Sequence, residues 1–524
     1  MFDLLIRGGH VLDGSGSPAF RADVGIVGAR IDALGDLTVA GAGETLDATG
    51  LCVAPGLIDM HSHSDFTLPV NPRAESKIRQ GITTEVIGNC GFSPAPLAPA
   101  TKHQLREYTA FLDLGLAWDW TSFGAYLDRL DHRIAVNVIP LVGHGTVRIA
   151  TMGFSNAAPS ADELELMNRL IAQAMDEGAW GLSTGLIYPP GVFAQTDEIV
   201  ALSREVAAHD GLYFSHIRGE SHTLLVAIGE AVTIARDADI SVEVSHFKAA
   251  GQANWDKAPR AIDMIADARA AGLRVAADMY PYAAGSTTLT ALLPDWALAG
   301  GVPSLIARLR DAKIRNRIAD DMRAGAGVAT NYDDVFLALF PPQVEYEGQT
   351  IVQVAEARGQ HPVNAILELV IESNAAAEMI SFMMSEENVR LGLQQPWMTV
   401  GSDGLALAPR GILGQGKRHP RSYGTFPRVL GEYVRENKVI TLPEAIRRMT
   451  SQSADMLGLR DRGRVQTGLA ADIFVFNADT IADRATYGEP YQFPSGIEYV
   501  IVNGQVTVAR DKQRDVMAGK VMRK

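Results

Sequence analysis

Residues 56–65 read GLIDMHSHSD, a short apolar run that ends in two histidines separated by one residue. Side chains at positions i and i+2 of a strand point the same way, so His61 and His63 can face one side together. A short apolar run bounded by a glycine is typical of a strand buried in a parallel sheet. In a parallel α/β barrel the active site lies at the carboxyl ends of the strands, which is where these histidines stand. This stretch therefore predicts the first strand of such a barrel.

Seven further apolar runs repeat the pattern between residues 83 and 403. Amphipathic segments predict helices between them, at 161–177, 197–209, 221–237 and 257–271. Eight strands that alternate with helices predict a (β/α)8 barrel of the TIM type. A ninth apolar run at 377–384 leaves one candidate too many, so one of the nine lies outside the barrel or is not a strand.

The two ends of the chain have a different texture, with short strand-like stretches between turns. We expect residues 1–54 and 464–524 to form one small β domain, a β-sandwich or β-barrel, beside a barrel domain of residues 55–463; two separate β caps are the alternative. The alternation lapses at 287–350, which predicts an insertion able to roof the site. The Gly- and Pro-rich connection after Asp403 predicts a mobile or lid-like loop.

Composition limits the class of protein. A chain of 524 residues with 47% hydrophobic and 21% charged residues is typical of a globular protein with one large and one smaller domain. Its two cysteines exclude a disulfide framework. No apolar stretch reaches the roughly 18 residues of a membrane span, and the start lacks a signal-peptide pattern, so we expect a cytoplasmic protein. A net charge of −14 disfavours nucleic acid and anionic membranes but allows an anionic small substrate. Homo-oligomerisation stays open.

Side chains that bind metals follow the apolar runs: His61, His63, Cys90, His216, His246 and Asp403. Each has an ordinary explanation when taken alone, such as a buried inert thiol for Cys90 or a helix N-cap for Asp403. His216 and His246 both follow a strand and a serine, one helix apart, so they are expected side by side on consecutive strands. Zinc accepts nitrogen, sulfur and carboxylate oxygen ligands. Together these residues predict a metal-dependent hydrolase.

Further polar residues near the same strand ends suit the chemistry of hydrolysis. Asp403 is the candidate to take a proton from the attacking water and deliver it to the leaving group, since a bound metal lowers the pKa of water towards about 7. Tyr188 is a candidate donor to the developing oxyanion. Lys248 and Arg421 are candidates to hold a substrate carboxylate, with solvated surface charge as the alternative. His144 is a candidate hydrogen-bond partner of the metal ligands.

These motifs, in this order, resemble the amidohydrolase superfamily and more closely its D-aminoacylase branch, the N-acyl-D-amino-acid deacylases. The resemblance covers nearly the whole chain. Its main stretches are VAPGLIDMHSHSD (53–65), GITTEVIGNCGFSP (81–94), GLSTGLIYPPG (181–191), SHIRGE (215–220), SHFK (245–248), DMYPYAAGST (278–287), GSDG (401–404), HPRSYGTFPRVLGEYVRE (419–436) and LAADIFVF (469–476).

The resemblance implies a (β/α)8 barrel with a small β domain from both termini and an inserted segment. It also implies a tight zinc site whose ligands are Cys90, His216 and His246, the cysteine replacing a carboxylated lysine common elsewhere in the superfamily. A second, weaker site would use His61 and His63 together with Cys90 and Asp403.

The resemblance further implies that Asp403 is the general base and then the general acid. The residues that would position the substrate carboxylate are Lys248, Tyr280, Ser286 and Arg421. The predicted reaction is zinc-dependent hydrolysis of an N-acyl-D-amino acid to a carboxylate and a free D-amino acid.

The stretch STTLTALLPDW at 286–296 lacks the cation expected in members that act on acidic side chains, which favours a neutral or hydrophobic one. Two other functions stay open. One is another amidohydrolase activity, on cyclic amides of the dihydropyrimidine type or on dipeptides, and the other is a barrel that serves as a non-catalytic scaffold.

Overall fold

The N-terminal segment forms short strands whose central residues are buried. The computed structural model describes residues 1–112, 114–325 and 331–524. The first strands are β1 (Phe2–Val11), β2 (Phe20–Val27), β3 (Arg30–Gly35), β4 (Ala42–Asp47) and β5 (Cys52–Pro55). The inward side chains of β1 and β2 include Leu4, Ile6, Val24 and Ile26, which pack in one apolar cluster. Leu5, between Leu4 and Ile6, is also buried, so β1 is covered on both faces at this point.

Parallel strands and helices then alternate along the chain. The strands are β6 (Leu57–Asp59), β7 (Ile82–Ile87), β8 (Asn137–Pro140), β9 (Val142–Gly143), β10 (Gly181–Gly185), β11 (Leu212–His216), β12 (Ser241–Val244) and β13 (Val275–Met279). The helices are α1 (Glu75–Ile78), α2 (Lys102–Tyr108), α3 (Phe123–Leu130), α4 (His144–Met152), α5 (Ala161–Asp176), α6 (Thr196–Ala208), α7 (Leu224–Asp237) and α8 (Ala258–Ala270). The four predicted helical segments are confirmed as α5 to α8, with small shifts at their ends.

An inserted segment follows β13 and has a sheet and an apolar core of its own. Its elements are β14 (Gly285–Thr288), α9 (Asp295–Leu298), α10 (Gly301–Arg310), α11 (Ala312–Arg323), β15 (Val335–Leu339), α12 (Ile351–Ala357), α13 (Pro362–Glu372) and β16 (Glu378–Ser381). Strand β16 pairs antiparallel with both β14 and β15. The apolar run at 377–384 is thus a strand that lies apart from the parallel series.

The last part of the chain returns to the parallel strands and then to the N-terminal sheet. Its elements are α14 (Glu386–Leu393), β17 (Met398–Val400), α15 (Arg421–Arg428), a π-helix (Val429–Glu436), α16 (Leu442–Met449), α17 (Ser451–Leu457), β18 (Ile473–Phe476), β19 (Ile497–Val502), β20 (Gln505–Ala509) and β21 (Lys512–Gln513). Among the helices of the described residues, none combines the length and apolarity needed to cross a bilayer.

The parallel strands form two runs, ordered β17–β13–β12–β11–β10–β9 and β6–β7–β8. Strands β8 and β9 belong to one extended stretch, because the N–H of Leu141 between them donates to the carbonyl of Ile87 at 2.9 Å. On the other side, the N–H of Met60 donates to Val400 at 3.2 Å and that of Asp403 donates to His61 at 2.7 Å. The hydrogen-bonded order therefore runs from β6 through β17 and returns to β6.

Strands from both ends of the chain share one sheet, in the order β21–β20–β19–β18–β5–β1–β2–β3, with β4 beside β1. The link is the antiparallel pairing of β18 with β5. Because the two terminal segments are hydrogen-bonded to each other, they are not two separate caps.

A buried polar cluster joins this sheet to the parallel strands. Asp472, directly before β18, accepts hydrogen bonds from the N–H of Asn503 at 2.7 Å and from Nδ2 of Asn137 at 3.1 Å. It also pairs with Arg462, whose side chain is only 2% exposed. Asp461 holds the same guanidinium from the more exposed side at 3.1 Å.

We expect Asp472→Asn to destabilise the protein by about 2 kcal/mol, because a buried guanidinium loses its main charge partner while Asp461 retains part of the interaction. Urea unfolding should show a lower midpoint with an unchanged slope. The control is Asp455→Asn, whose ion pair with Arg464 is solvent-exposed and should contribute less than about 1 kcal/mol. Equal midpoints for the two variants would contradict the prediction.

Candidate metal centre and active site

The structure brings the six predicted ligand residues together at the carboxyl ends of the parallel strands. The side-chain ligand atoms fall into two groups, each with all its atoms within 4.8 Å of one another. One group is His61, His63, Cys90 and Asp403, and the other is Cys90, His216 and His246. All six are buried, and the thiol of Cys90 belongs to both groups.

The spacing of these atoms suits a zinc ion. Sγ of Cys90 lies 3.3 Å from Nε2 of His61 and 3.4 Å from Nε2 of His246. A tetrahedral zinc, with Zn–S near 2.3 Å and Zn–N near 2.0–2.1 Å, separates sulfur from nitrogen by roughly 3.5 Å. Both ring nitrogens of His216 are buried, and neither has a hydrogen-bond partner among the residues that the structure describes. Buried polar atoms are normally satisfied, so the donor set fits a metal ion.

Three of the ligands stand on unusual backbone. Cys90, His246 and Asp403 have φ values of 55°, 37° and 49°, in the left-handed region that side chains other than glycine rarely adopt. Each such residue costs of order 1–3 kcal/mol. Gly91 follows Cys90 with φ of 77°, and a Cβ there would lie 2.8 Å from the backbone nitrogen of Gly185. The strands thus end in tight turns. The strained backbone at these turns directs the ligand side chains towards the common site.

Two carboxylates contact the outer nitrogens of the histidines. Oδ2 of Asp278 lies 3.3 Å from Nδ1 of His61, and Oε1 of Glu220 lies 3.0 Å from Nδ1 of His246. The contact of Asp278 is a hydrogen bond, and when Nδ1–H of His61 donates to that carboxylate, Nε2 is left free for the metal. At His246 the Glu220 oxygen makes an ion contact, and the hydrogen-bond partner of Nδ1 is Nζ of Lys248 at 2.7 Å. Neither acid was predicted from the sequence. Each lies in a motif that also contains a predicted site residue, SHIRGE for Glu220 and DMYPYAAGST for Asp278, and this association could have identified them.

The charge state of the site follows from burial and from neighbouring ions. Burial opposes ionisation of Asp403, but the guanidinium of Arg421 and the surrounding histidines outweigh it and hold the pKa of that carboxyl well below its usual range. Nη1 of Arg421 lies 2.7 Å from Oδ2 of Asp403, as an ion contact without an aligned hydrogen bond. Burial raises the pKa of the Cys90 thiol to about 11. A cation must therefore bind for Cys90 to become a thiolate, and binding then releases a proton.

The predicted carboxylate-binding residues lie on one side of the cavity. Lys248 and Arg421 are buried, which excludes solvated surface charge. Both cations lie near the ring of Tyr280, with Nζ of Lys248 at 5.8 Å and Cζ of Arg421 at 4.9 Å from its centroid. Nη2 of Arg421 donates to the carbonyl of Ser286 at 3.2 Å. Nζ of Lys248 donates to Glu220 at 2.6 Å, so each cation already contacts an acid of the chain.

The cavity has a volume of about 250 Å³ and opens over the ligand atoms. Tyr188 borders it, with its ring centroid 5.0 Å from that of His216. The Tyr188 hydroxyl shares a hydrogen bond of 2.9 Å with Thr287 of β14, so the inserted sheet orients this side chain. Burial raises the pKa of Tyr188 well above its usual value, which keeps the hydroxyl protonated as a donor.

His144 lies elsewhere in the hydrogen-bond network. Its Nε2 is bonded to Oε1 of Glu198 at 2.9 Å, and within the described residues no hydrogen bond joins it to the six ligand residues. It is the first residue of α4, and its partner is on α6. The structure thus contradicts the prediction that His144 is a hydrogen-bond partner of the metal ligands. Asp278 and Glu220 contact the outer nitrogens of the histidines instead.

The connection between Asp403 and Arg421 is bonded to the inserted sheet. The N–H of Lys417 donates to Ala338 of β15 at 2.6 Å. Arg418 pairs with Glu378 of β16 at 2.8 Å, and His419 Nε2 bonds the carbonyl of Ala284 at 2.9 Å. The connection is therefore held to the rest of the protein and is not the mobile, lid-like loop that the sequence predicted. The same contacts position the start of α15, where Arg421 lies.

A family model described as the amidohydrolase family matches residues 44–508. The chain belongs to the amidohydrolase family. The N-acyl-D-glutamate deacylase of Alcaligenes xylosoxydans xylosoxydans is 39% identical over 502 residues, covering 96% of this chain and 93% of that protein. The D-aminoacylase of the same organism is 37% identical over 522 residues, covering 99% and 97%. The resemblance to D-aminoacylases that the motifs indicated is confirmed.

The same relationship is visible in three dimensions. The crystal structure of N-acyl-D-glutamate deacylase from Bordetella bronchiseptica, complexed with zinc and a phosphonate inhibitor that mimics the reaction's tetrahedral intermediate, superposes with a TM-score of 0.85 at 35% identity. The match covers the whole of both chains. This amidohydrolase therefore shares a mixed α/β fold with that enzyme over its full length.

We expect Glu220→Gln to lower zinc affinity about 10- to 100-fold, because the ring of His246 loses the negative charge 3.0 Å from its Nδ1, and Lys248, which contacts the same nitrogen, loses its anionic partner. Competition with a chromogenic chelator measures the affinity directly. The matched control is Glu230→Gln, a partly buried acid that pairs with Arg218 at 2.9 Å. If both variants held zinc as tightly as the unmodified protein, Glu220 would have no part in metal binding.

Proposed function

We propose that this protein hydrolyses the amide bond of N-acyl-D-amino acids in a zinc-dependent reaction, giving a carboxylate and a free D-amino acid. One observation carries the proposal: two groups of metal-binding atoms, the carboxylate of Asp403 and the buried cations Lys248 and Arg421 border the same cavity. The names of the relatives, N-acyl-D-glutamate deacylase and D-aminoacylase, support the D configuration and the linear amide.

Zinc fits the donor set better than a harder cation, since imidazole and thiolate favour it. We assign a tight site to Cys90, His216 and His246, and a weaker one to His61 and His63 with Cys90 and Asp403. Bound zinc polarises the scissile carbonyl and lowers the pKa of water, so that attack proceeds at neutral pH.

Asp403 is the proton carrier of the proposed reaction. Because its pKa is lowered, the carboxyl of Asp403 is ionised at neutral pH. It can therefore accept a proton as a general base. It takes a proton from the attacking water and returns it to the departing amine nitrogen. Tyr188 donates from its hydroxyl to the oxyanion that forms at the carbonyl oxygen, while Thr287 holds that hydroxyl in place.

The substrate carboxylate is bound by Lys248, Tyr280, Ser286 and Arg421 in this proposal. Arg421 can present two parallel N–H donors, and Lys248 adds a second positive charge. Both cations contact Glu220 or Asp403 in the free protein. A bound carboxylate therefore competes with an internal acid for each cation.

We assign a neutral or hydrophobic side chain to the D-amino acid. Apolar residues of the cavity wall include Ile187, Leu293, Met379 and Met383. The other arginines in the described lining are each paired with an acid, Arg218 with Glu230 and Arg418 with Glu378. An acidic substrate side chain would compete with an internal acid for either arginine, as the substrate carboxylate does for Lys248 and Arg421. The apolar wall is therefore the feature that favours a neutral side chain.

The proposed architecture is a (β/α)8 barrel closed between β6 and β17, as the returning order of hydrogen bonds supports. The catalytic barrel domain is 55–463, and 1–54 with 464–524 forms the small β domain. The insertion that the sequence predicted at 287–350 extends to β16, because β14 and β15 both pair with that strand.

The decisive experiment is turnover of N-acetyl-D-leucine, N-acetyl-D-methionine and N-acetyl-D-glutamate, each beside its L enantiomer. We expect the D enantiomers of the two neutral substrates to exceed their L counterparts by at least about 100-fold in kcat/KM, and to exceed N-acetyl-D-glutamate. Equal activity on the L series, or better activity on hydantoins or dipeptides, would contradict the proposal.

We expect Asp403→Asn to lower kcat about 1,000-fold, since a general acid–base residue contributes 10²–10⁴. Zinc content of the variant must be measured alongside activity, because Asp403 also belongs to the weaker metal group. Substantial turnover by a variant that retains its zinc would rule out this residue as the proton carrier.

A further inference from the structure

We propose that a second, apolar cleft beside the catalytic cavity binds the acyl chain of the substrate, so that chains longer than acetyl are preferred. The inference rests on the proposed function and deepens it. The cleft has a volume of about 80 Å³, several times the roughly 10–15 Å³ that one water needs on the same measure. Its lining outside the catalytic cavity includes Tyr108, Phe154, Pro189, Val302 and Leu305.

The cleft adjoins the catalytic cavity. Phe92, Phe111, Tyr188 and Leu298 line both spaces. Glu107 is the one acidic side chain in the described lining of the cleft, and none of the described lining residues is basic. The cleft therefore suits an uncharged apolar group rather than an anionic one.

A line of aromatic rings leads from the metal ligands into the cleft. The ring centroid of Phe92 lies 6.1 Å from that of His63 and 4.6 Å from that of Tyr108. Tyr108 in turn lies 6.1 Å from Phe154. An acyl chain that leaves the metal centre along this wall stays in contact with apolar surface throughout.

The order of the strands decides which end of the substrate faces this wall. Lys248, Tyr280 and Arg421 follow β12, β13 and β17, whereas Phe92 and Tyr188 follow β7 and β10. These two sets lie in opposite sectors around the metal ligands, because the hydrogen-bonded order runs β6, β7, β8–β9, β10, β11, β12, β13, β17 and back to β6.

In an N-acyl amino acid the carboxylate and the side chain lie on the amine side of the scissile bond, and the acyl chain lies on the other. When the cations hold the carboxylate, the carbonyl carbon lies over the metal ligands. The acyl chain then points into the sector of Phe92 and Tyr188. The cleft between α2 and α10 is the space that continues in this direction.

The test is a series of N-acyl-D-leucines with acetyl, butanoyl and hexanoyl groups, assayed with the full-length zinc-loaded protein. We expect kcat/KM to rise about threefold for each added methylene, as the chain buries apolar surface in the cleft. The ratio of hexanoyl to acetyl activity should therefore be on the order of 80.

A filling variant separates the cleft from a general effect of hydrophobicity. Val302→Phe places a ring in the cleft from α10 and should lower the hexanoyl-to-acetyl ratio at least tenfold. Ala307→Phe, on the exposed face of the same helix and outside the lining, should leave the ratio unchanged.

A flat or falling ratio in the unmodified protein that still hydrolyses N-acetyl-D-leucine would overturn the acyl assignment and leave the proposed function intact. An unchanged ratio in Val302→Phe would also overturn it. Absence of turnover for every acyl-D-leucine in the series would overturn the proposed function and this inference with it.

Discussion

The thiol of Cys90 is the point on which the site depends, because it is the one ligand atom common to both metal-binding groups. It touches histidines that come from opposite sides of the strand series, His61 after β6 and His246 after β12. Such a meeting is available only when strands run parallel and their carboxyl ends face one common space. The strained turn at Cys90 and the close approach of Gly91 to Gly185 are the local cost of bringing sulfur to that point.

The carboxylates of the site have two different positions relative to the metal ligands. Asp278 and Glu220 contact outer ring nitrogens and hold the histidines, whereas Asp403 faces inward and is itself held by Arg421. Because Glu220 also contacts Lys248, the metal side and the cation side of the cavity share one acid. A change in the charge or position of Glu220 therefore affects both the metal ligand His246 and the cation Lys248.

The ligands could be predicted from sequence because they follow the ends of strands, where a local pattern places them. The inserted segment could not be read in this way. An apolar run such as 377–384 has the same composition in a parallel or an antiparallel strand, and only its pairing with β14 and β15 separates the two. The connection before Arg421 is rich in Gly and Pro, yet it is held by backbone hydrogen bonds such as that from Lys417 to Ala338, which do not depend on residue type and so cannot be predicted from the sequence. The role of Thr287 could not be predicted either, because its partner Tyr188 is far away in the chain.

The pairing of β5 with β18 also concerns how the chain is made. Strand β5 ends at Pro55 and its partner begins at Ile473, so at synthesis rates of 5–20 residues per second the two strands emerge about 20–80 s apart. During that interval β5 exposes an edge that a foreign strand could occupy. The chain that grows meanwhile carries its own parallel series, whose strands find neighbours from nearby sequence. Synthesis thus favours an order in which the middle of the protein folds first and the sheet built from its two ends closes last.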